Sequence, residues 1–323
     1  MTTVVIGEVL VDLAWHTGTA HIVPHPGGSP ANVAVGLHRL GQPATLMTCW
    51  GDDPPPAFGR GDPHGDLVRA HLDSIDVQVH RLPSASGRTT IALAHLDDAT
   101  GSARYDFLAA WDPQDIHLPE QAMLIHTGSL AAVVEPGATR IVDTCRAHRA
   151  RPGRSVSVDL NVRPAVLPDR DAYRTRAERL VATADLVKAS DEDLAWLYPG
   201  LTPEAAARAL LALGPRLAVI TRGAQGATAL TAEHQVTVPA PPTHVVDSIG
   251  AGDAFQACLL DTLLQPDGTI RLPGTPAELE AVLRRCVLAG ALTCARAGAQ
   301  PPTGEEITAA LTAPSPSPAP TTR

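Results

Sequence analysis

The stretch Val245-Val-Asp-Ser-Ile-Gly-Ala-Gly-Asp-Ala-Phe-Gln-Ala-Cys-Leu-Leu260 concentrates residue types that can do chemistry. A β-like valine pair runs into Asp247, then into Gly250-Ala251-Gly252-Asp253, then into an amphipathic apolar helix. Glycines at 250 and 252 let the backbone approach a ligand closely, and a helix starting there aims unpaired N–H groups and the positive end of its dipole at whatever lies above. An anion suits that position. The Asp253 carboxylate would then stand beside the anion's reaction partner, where it can accept a proton from a hydroxyl that attacks phosphorus. The same pattern also describes an ordinary turn with a helix-start carboxylate, so the choice falls to other segments.

Three further segments bear on it. Pro26-Gly-Gly-Ser-Pro-Ala-Asn32 sets a double glycine ahead of a helix whose first turn carries Asn32. That arrangement suits close contact with a polyhydroxylated molecule, Asn32 supplying both a donor and an acceptor, and equally suits a turn with a helix cap. Thr221-Arg-Gly-Ala-Gln-Gly226 joins two strands through glycines that either lie along nucleotide phosphates or close a plain hairpin. Asp159-Leu-Asn-Val-Arg163 ends an apolar strand with three polar groups, and open α/β sheets bind ligands at the carboxyl ends of their strands.

Composition excludes several classes. The chain has 323 residues and a formal charge of −9, and its only lysine is Lys188. A Walker-type phosphate loop needs a lysine after glycine and is therefore absent, and no Gly-x-Gly-x-x-Gly occurs to support a Rossmann dehydrogenase. The acidic balance argues against nucleic acid as a partner. Five cysteines without a Cys-x-x-Cys pair indicate neither a zinc site nor a disulfide framework, and a reducing cytoplasm fits. The start, interrupted by Glu8 and Asp12, reads as a first strand rather than a signal peptide, and no run approaches the roughly 18 apolar residues of a membrane span.

The elements that must carry these groups alternate. Short apolar runs at 123–125, 155–160, 186–188, 217–221 and 227–230 are separated by helical patterns at 138–150, 173–184, 203–213 and 254–264. The expectation is a doubly wound, mostly parallel α/β sheet flanked by helices. Residues 75–110 differ: 77–82, 88–96 and 102–108 alternate with period two, and Asp97–Ser102 between the last pair has turn chemistry. These predict a small β-sheet, either a lid or extra strands at the sheet edge, with about 10–25 contributing. Residues 52–63 read as a Pro/Gly-rich loop, and 312–323 as a disordered Pro-rich tail beyond a single unit of 1–311.

Taken in order, these segments resemble the ribokinase-like (PfkB) carbohydrate kinase family from Val4 to about Pro302. Within it, His126-Thr-Gly-Ser-Leu-Ala131, Asp159-x-Asn-x-Arg163 and Lys188-Ala-Ser-Asp-Glu-Asp-Leu194 are most like the fructokinase versions. The resemblance implies ATP-dependent phosphorylation of a sugar hydroxyl, with fructose the first acceptor. It also implies Asp253 as base and the amides of Gly250, Ala251 and Gly252 as the anion hole, with Arg163 at the phosphates. Asp12, Gly28 and Asn32 match sugar-binding positions, and Arg104 and Phe107 are lid candidates for the same task. Lys188, Ser190, Thr221, Gly223 and Gly226 fall along ATP, and Asp193 would organise water and Mg²⁺. Asp247, Ile249 and Gly298 fall where many members bind K⁺, and lids in this family often pair two subunits into a homodimer. Several positions depart from the pattern: Ser190-x-x-Asp193 stands for Asn-x-x-Glu, Ser248 for a common threonine, Leu160 for proline, and Gly128-Ser129 for an acidic residue of ribokinases, which weakens ribose as substrate. Another acceptor, such as 2-keto-3-deoxygluconate, ribose or a nucleoside, and a sugar-binding protein without activity are the alternatives. Lys188 itself reads either as an exposed lysine or as a buttress to nearby carboxylates.

Overall fold

A computed structural model describes residues 2–16, 18–51, 62–97 and 102–312. Most of the expected 52–63 loop, the turn at 98–101 and the tail from 313 onward lie outside the described residues. The chain runs β1 (Thr2–Ile6), β2 (Leu10–His16), β3 (Ile22–Gly27), α1 (Ser29–Arg39), β4 (Ala44–Thr48), α2 (Pro63–Ser74), β5 (Gln78–Arg81), β6 (Thr90–Asp97) and β7 (Ser102–Leu108). It continues through β8 (Ala122–Gly128), α3 (Gly137–Arg149), β9 (Ser155–Asp159), α4 (Arg170–Val181), β10 (Leu186–Ser190), α5 (Asp191–Leu197), α6 (Pro203–Leu211) and β11 (Leu217–Thr221). Strands β12 (Ala227–Leu230) and β13 (Gln235–Val238) and helices α7 (Ala251–Leu263), α8 (Pro276–Cys294) and α9 (Gly304–Thr312) complete it.

Nine strands form one sheet in the order β13-β12-β11-β10-β9-β8-β1-β4-β5, parallel from β5 to β11 and antiparallel at the last two strands. Its parallel strands are apolar on both faces because helices cover both. Val4 and Ile6 of β1 point into a core shared with α3 to α6, while Val5 points into a second core with α1, α7 and α8. Each such fully buried aliphatic side chain contributes about 1.5–3 kcal/mol relative to exposure, enough for the cores to carry buried polar groups elsewhere in the sheet. Strand order reverses between β1 and β8, and this switch point is where open sheets of the kind hold ligands.

A second sheet of four strands, β3-β2-β6-β7, stands apart from the first. Two expectations need correction here. The run at 77–82 is not part of the small sheet; as β5 it pairs parallel with β4 at the edge of the large one. Alternation with period two marks a half-buried strand but not the sheet to which it belongs, and an edge strand of the large sheet is half-buried too. The small sheet's first hairpin also extends to Gly27 rather than ending near 25, because Leu10 pairs with Gly27.

Candidate active site

Helix α7 starts at Gly250, whose φ of +75° is left-handed. A Cβ there would lie 2.5 Å from the Cβ of Ala299, so the turn needs glycine for both its torsion and its close approach. Ala251 N–H makes a long 3.3 Å bond to Ser248 O, and the helix dipole emerges at this end. Asp253 sits in the first turn and is gripped from α1: Ser29 Oγ donates to Oδ1 at 2.6 Å and Asn32 Nδ2 donates to Oδ2 at 2.8 Å. Burial raises the Asp253 pKa, the bonds from Ser29 and Asn32 pull it down, Asp159 pushes it up and Lys188 draws it down again. Gly28 caps α1 at φ +124°, and a Cβ on it would meet Glu8 O at 2.7 Å, so only glycine lets the chain pass Glu8 on its way to Ser29.

Beside α7 lies a cleft of about 350 Å³ lined by Asn161, Arg163, Lys188, Ser190, Asp193, Thr221 and Gly252, among others. The fold thus gathers residues from the ends of β9, β10 and β11 against the α7 start. Lys188 is buried, not solvent-exposed, and Nζ donates to Asp159 Oδ2 at 2.7 Å. Ser190 and Asp193 form a capping box on α5: Ser190 Oγ accepts from Asp193 N–H at 3.0 Å, and Asp193 Oδ2 accepts from Ser190 N–H at 2.8 Å. Asp193 Oδ1 accepts from Val162 N–H at 2.8 Å, so this carboxylate also pins the loop that carries Arg163. Burial raises the Asp193 pKa against those backbone bonds.

The lid residues divide by face. Asp12 pairs in register with His25 and Ala92, on the face where Leu10 and Ala92 pack against Leu130 after β8 of the large sheet. Burial raises its pKa, while the charges of Arg163 and His25 lower it. Phe107 lies on the same face, stacks with Tyr105 at 6.2 Å between centroids, and packs against Leu10, Ala92 and Leu130. Arg104 does not join them. It projects from the opposite face, 3.7 Å from Asp106, because alternating residues of a strand point to opposite sides.

Thr221 lies in the cleft wall, but Gly223 and Gly226 form a hairpin: Gly226 N–H donates to Gly223 O and Arg222 N–H to Gly226 O, and β11 and β12 run antiparallel through it. Asp247 unites the three residues expected at a cation site. Its Oδ1 accepts from Ile249 N–H at 3.0 Å and its Oδ2 from Gly298 N–H at 2.9 Å.

Other groups at the site had no role of their own in the sequence reading. Glu8, between β1 and β2, is buried and accepts from Ala131 N–H at 3.3 Å; burial pushes its pKa up to about 7 against hydrogen bonds that include Ser129. Ser129 and Asn161 have positive φ at the ends of β8 and β9 and bond to one another through Asn161 Nδ2 and Ser129 Oγ at 3.3 Å. Positive φ in residues with a Cβ clusters at functional sites. Ser29 was visible only as a residue of the glycine turn, although a hydroxyl three residues before Asn32 lies on the same face of the helix start and reaches the same carboxylate.

The sequence model of the pfkB family carbohydrate kinases matches residues 2–306. The chain belongs to that family. The kinase is 32% identical to a fructokinase of Rhizobium leguminosarum bv. trifolii over 80% of its own length and 78% of the relative's. It is 33% identical to a fructokinase of Klebsiella pneumoniae, over 79% and 82% of the two chains. Its fold superposes with a TM-score of 0.76, at 26% identity, on a fructokinase double mutant of Vibrio cholerae O395 in fructose, ADP and potassium ion bound form, covering 95% and 97% of the chains. An aminoimidazole riboside kinase of Salmonella enterica, complexed with aminoimidazole riboside and an ATP analogue, superposes with a TM-score of 0.78 at 26% identity over 97% and 100%. The expectations of a carbohydrate kinase and of a ribokinase-like doubly wound fold are borne out.

Proposed function

We propose that this kinase transfers the γ-phosphoryl group of ATP to a hydroxyl of fructose. One observation carries the reading: a half-buried carboxylate, Asp253, is held by Ser29 and Asn32 at the start of α7, where the segment that follows the small sheet meets the cleft. Asp253 accepts the proton of the acceptor hydroxyl as that oxygen attacks. The backbone donors at Gly250 to Gly252 and the guanidinium of Arg163 meet the charge spread over the transferring group, in place of a P-loop lysine. Asp12, Gly28, Asn32 and Phe107 bound the sugar, and Ser190, Thr221, Gly223 and Gly226 border the nucleotide, with Lys188 buried beneath the cleft wall. Fructose is favoured over other acceptors by the fructokinases among the relatives and by the fructose bound in the Vibrio cholerae enzyme. The aminoimidazole riboside bound in the Salmonella enterica neighbour supports a riboside as the second reading.

Mg²⁺, when bound with ATP, would supply neutralisation of phosphate charge. Asp193 fits a supporting part, since both oxygens already accept a backbone N–H and each keeps a lone pair for a metal-bound water. K⁺ is assigned to the loop pair tied by Asp247, with Ile249 and Gly298 as its neighbours. No described helix is long and apolar enough to cross a membrane. The cytoplasm, where ATP is made, is the compartment this reading assigns. A homodimer through the lid is also part of it, supported by the exposed Trp15, Ile22, Val23, Tyr105 and Leu108; sedimentation of the chain as a monomer at micromolar concentration would dismiss the dimer alone.

The test is coupled ADP release over a panel of ketoses, aldoses and nucleosides, for the parent and for Asp253→Asn. Loss of a positioned general base should lower kcat by about 10²–10⁴-fold, with ATP binding retained by calorimetry. Parent-like turnover in the variant overturns the assignment, and a nucleoside that outruns every ketose overturns the acceptor.

A further inference from the structure

Beneath the first turn of α7, the face of the sheet that is otherwise apolar becomes polar. Asp159 of β9 and Lys188 of β10 are partners in register, and their side chains are only 3% and 5% exposed. The Lys188 ammonium donates to Asp159 Oδ2 at 2.7 Å, while Asp159 Oδ1 is buried without a partner. A Cβ built on Gly252 would sit 3.7 Å from Nζ, so the ammonium lies directly under the residue that precedes Asp253. One turn deeper, Gln256 Nε2 donates to Ser157 Oγ at 3.0 Å, with His126 Nδ1 at 3.4 Å. Burial pushes His126 down to about 4, so it adds no charge at neutral pH.

The ammonium thus bonds Asp159 and lies under the residue next to Asp253. Around Asp253, α1 offers only the neutral donors Ser29 and Asn32. Arg163 acts across the cleft on Asp12, and Asp193 adds a further negative charge facing the pair. Lys188 is a cation that favours the ionised form of Asp253, against burial and the charge of Asp159. Its ammonium is sealed and aimed at Asp159, which is unlike a lysine that extends to grasp phosphate.

We propose that Lys188 and Asp159 form a positioning pair, in which Asp159 anchors the ammonium under the first turn of α7 and the ammonium keeps Asp253 ionised, ready to take the acceptor's proton. The proposal rests on the reading of Asp253 as the base. The two members act in opposition, since a nearby cation favours the carboxylate and a nearby anion favours its protonated form.

The experiment is the pH profile of kcat at saturating sugar and Mg-ATP for the parent, K188R, K188M, D159N and the K188M/D159N double variant, with melting curves and KM for ATP alongside. The acid limb should move up by about one pH unit in K188M, move down by a similar amount in D159N, and return close to the parent position in the double variant. K188R should keep the parent limb. The double variant leaves no buried charge unpaired, so it folds where a single variant fails. Should K188M not fold, the downward shift in D159N, or its absence, decides. Limbs that stay fixed while kcat falls equally at every pH overturn the proposal in favour of a structural pair, and a tenfold rise in KM for ATP with a fixed limb overturns it in favour of a nucleotide ligand. If instead Asp253→Asn retains turnover, the base assignment fails, and the pair proposal falls with it for a different reason.

Discussion

Replacing Gly250 with alanine tests the start of α7 without removing any functional side chain. At φ +75° an alanine carries the left-handed penalty, about 1–2 kcal/mol. Its Cβ would also fall 2.5 Å from Ala299 Cβ and 2.8 Å from Ala299 Cα, so the loop bearing Ala299 must retreat. The neighbouring Gly298 N–H is bound to Asp247 Oδ2 at 2.9 Å, and loosening a hydrogen bond to a charged group costs about 1–2 kcal/mol more. The sum is on the order of 2–4 kcal/mol. Unfolding entropy near 2.1 cal/mol/K per residue converts that into a fall in Tm of roughly 3–6 °C for a chain of this length. Turnover should suffer more, because misplacing one donor of an anion hole costs about 10²–10³ in kcat. Calorimetric melts set beside ADP release at saturating substrates measure both. A G250A protein that melts within a degree of the parent and keeps more than half of its kcat would refute the claim that this turn aligns the donors.

Removing either grip on Asp253 by S29A or N32A takes away a bond that favours the ionised carboxylate. The acid limb of the kcat profile should therefore rise by about one pH unit, so that activity falls more at pH 6 than at pH 8. Glu8, raised to about 7 from 4.5, binds a proton in the folded protein that the unfolded chain has already released across that window. Stability should decline by roughly 3 kcal/mol as pH rises through the window, and Glu8→Gln should flatten that part of the melting curve; an unchanged pH dependence would show that Glu8 is not the group responsible. Asp247→Asn weakens the charge that joins the Ile249 and Gly298 loops. Half-activation by K⁺ should then need about tenfold more salt, read as rate against K⁺ at constant ionic strength.

The α/β core was legible because its signal is local: parallel strands buried on both faces appear as short apolar runs, and Ser155–Asp159 and Leu217–Thr221 are such runs. The turn Gly250-Ala-Gly-Asp253 was legible for the same reason, since glycines before an apolar helix announce a close approach. What sequence left open depends on partners far along the chain. Lys188 read equally well as exposed or buried until β9 brought Asp159 beside it. Glu8 looked like a break in an apolar start, and only the meeting of the β1–β2 connection with the β8 end gives it Ala131 and Ser129 as partners. Arg104 and Phe107 differ by an odd number of positions, so one of them had to face away, and alternation alone does not say which. Strand β5 carried the same ambiguity at the level of whole sheets.

The path of the chain at Gly28 has an engineering consequence. Strand β3 of the small sheet passes through this one residue into Ser29 and Asn32, which hold Asp253, so the sheet proposed to cover the acceptor and the helix that grips the proposed base are consecutive words of one sentence. Transplanting β2, β3, β6 and β7 from a relative to change acceptor should therefore respect a seam between Gly27 and Gly28. A graft that crosses the seam alters acidity at Asp253 together with selectivity, and one that stops short of it changes selectivity alone.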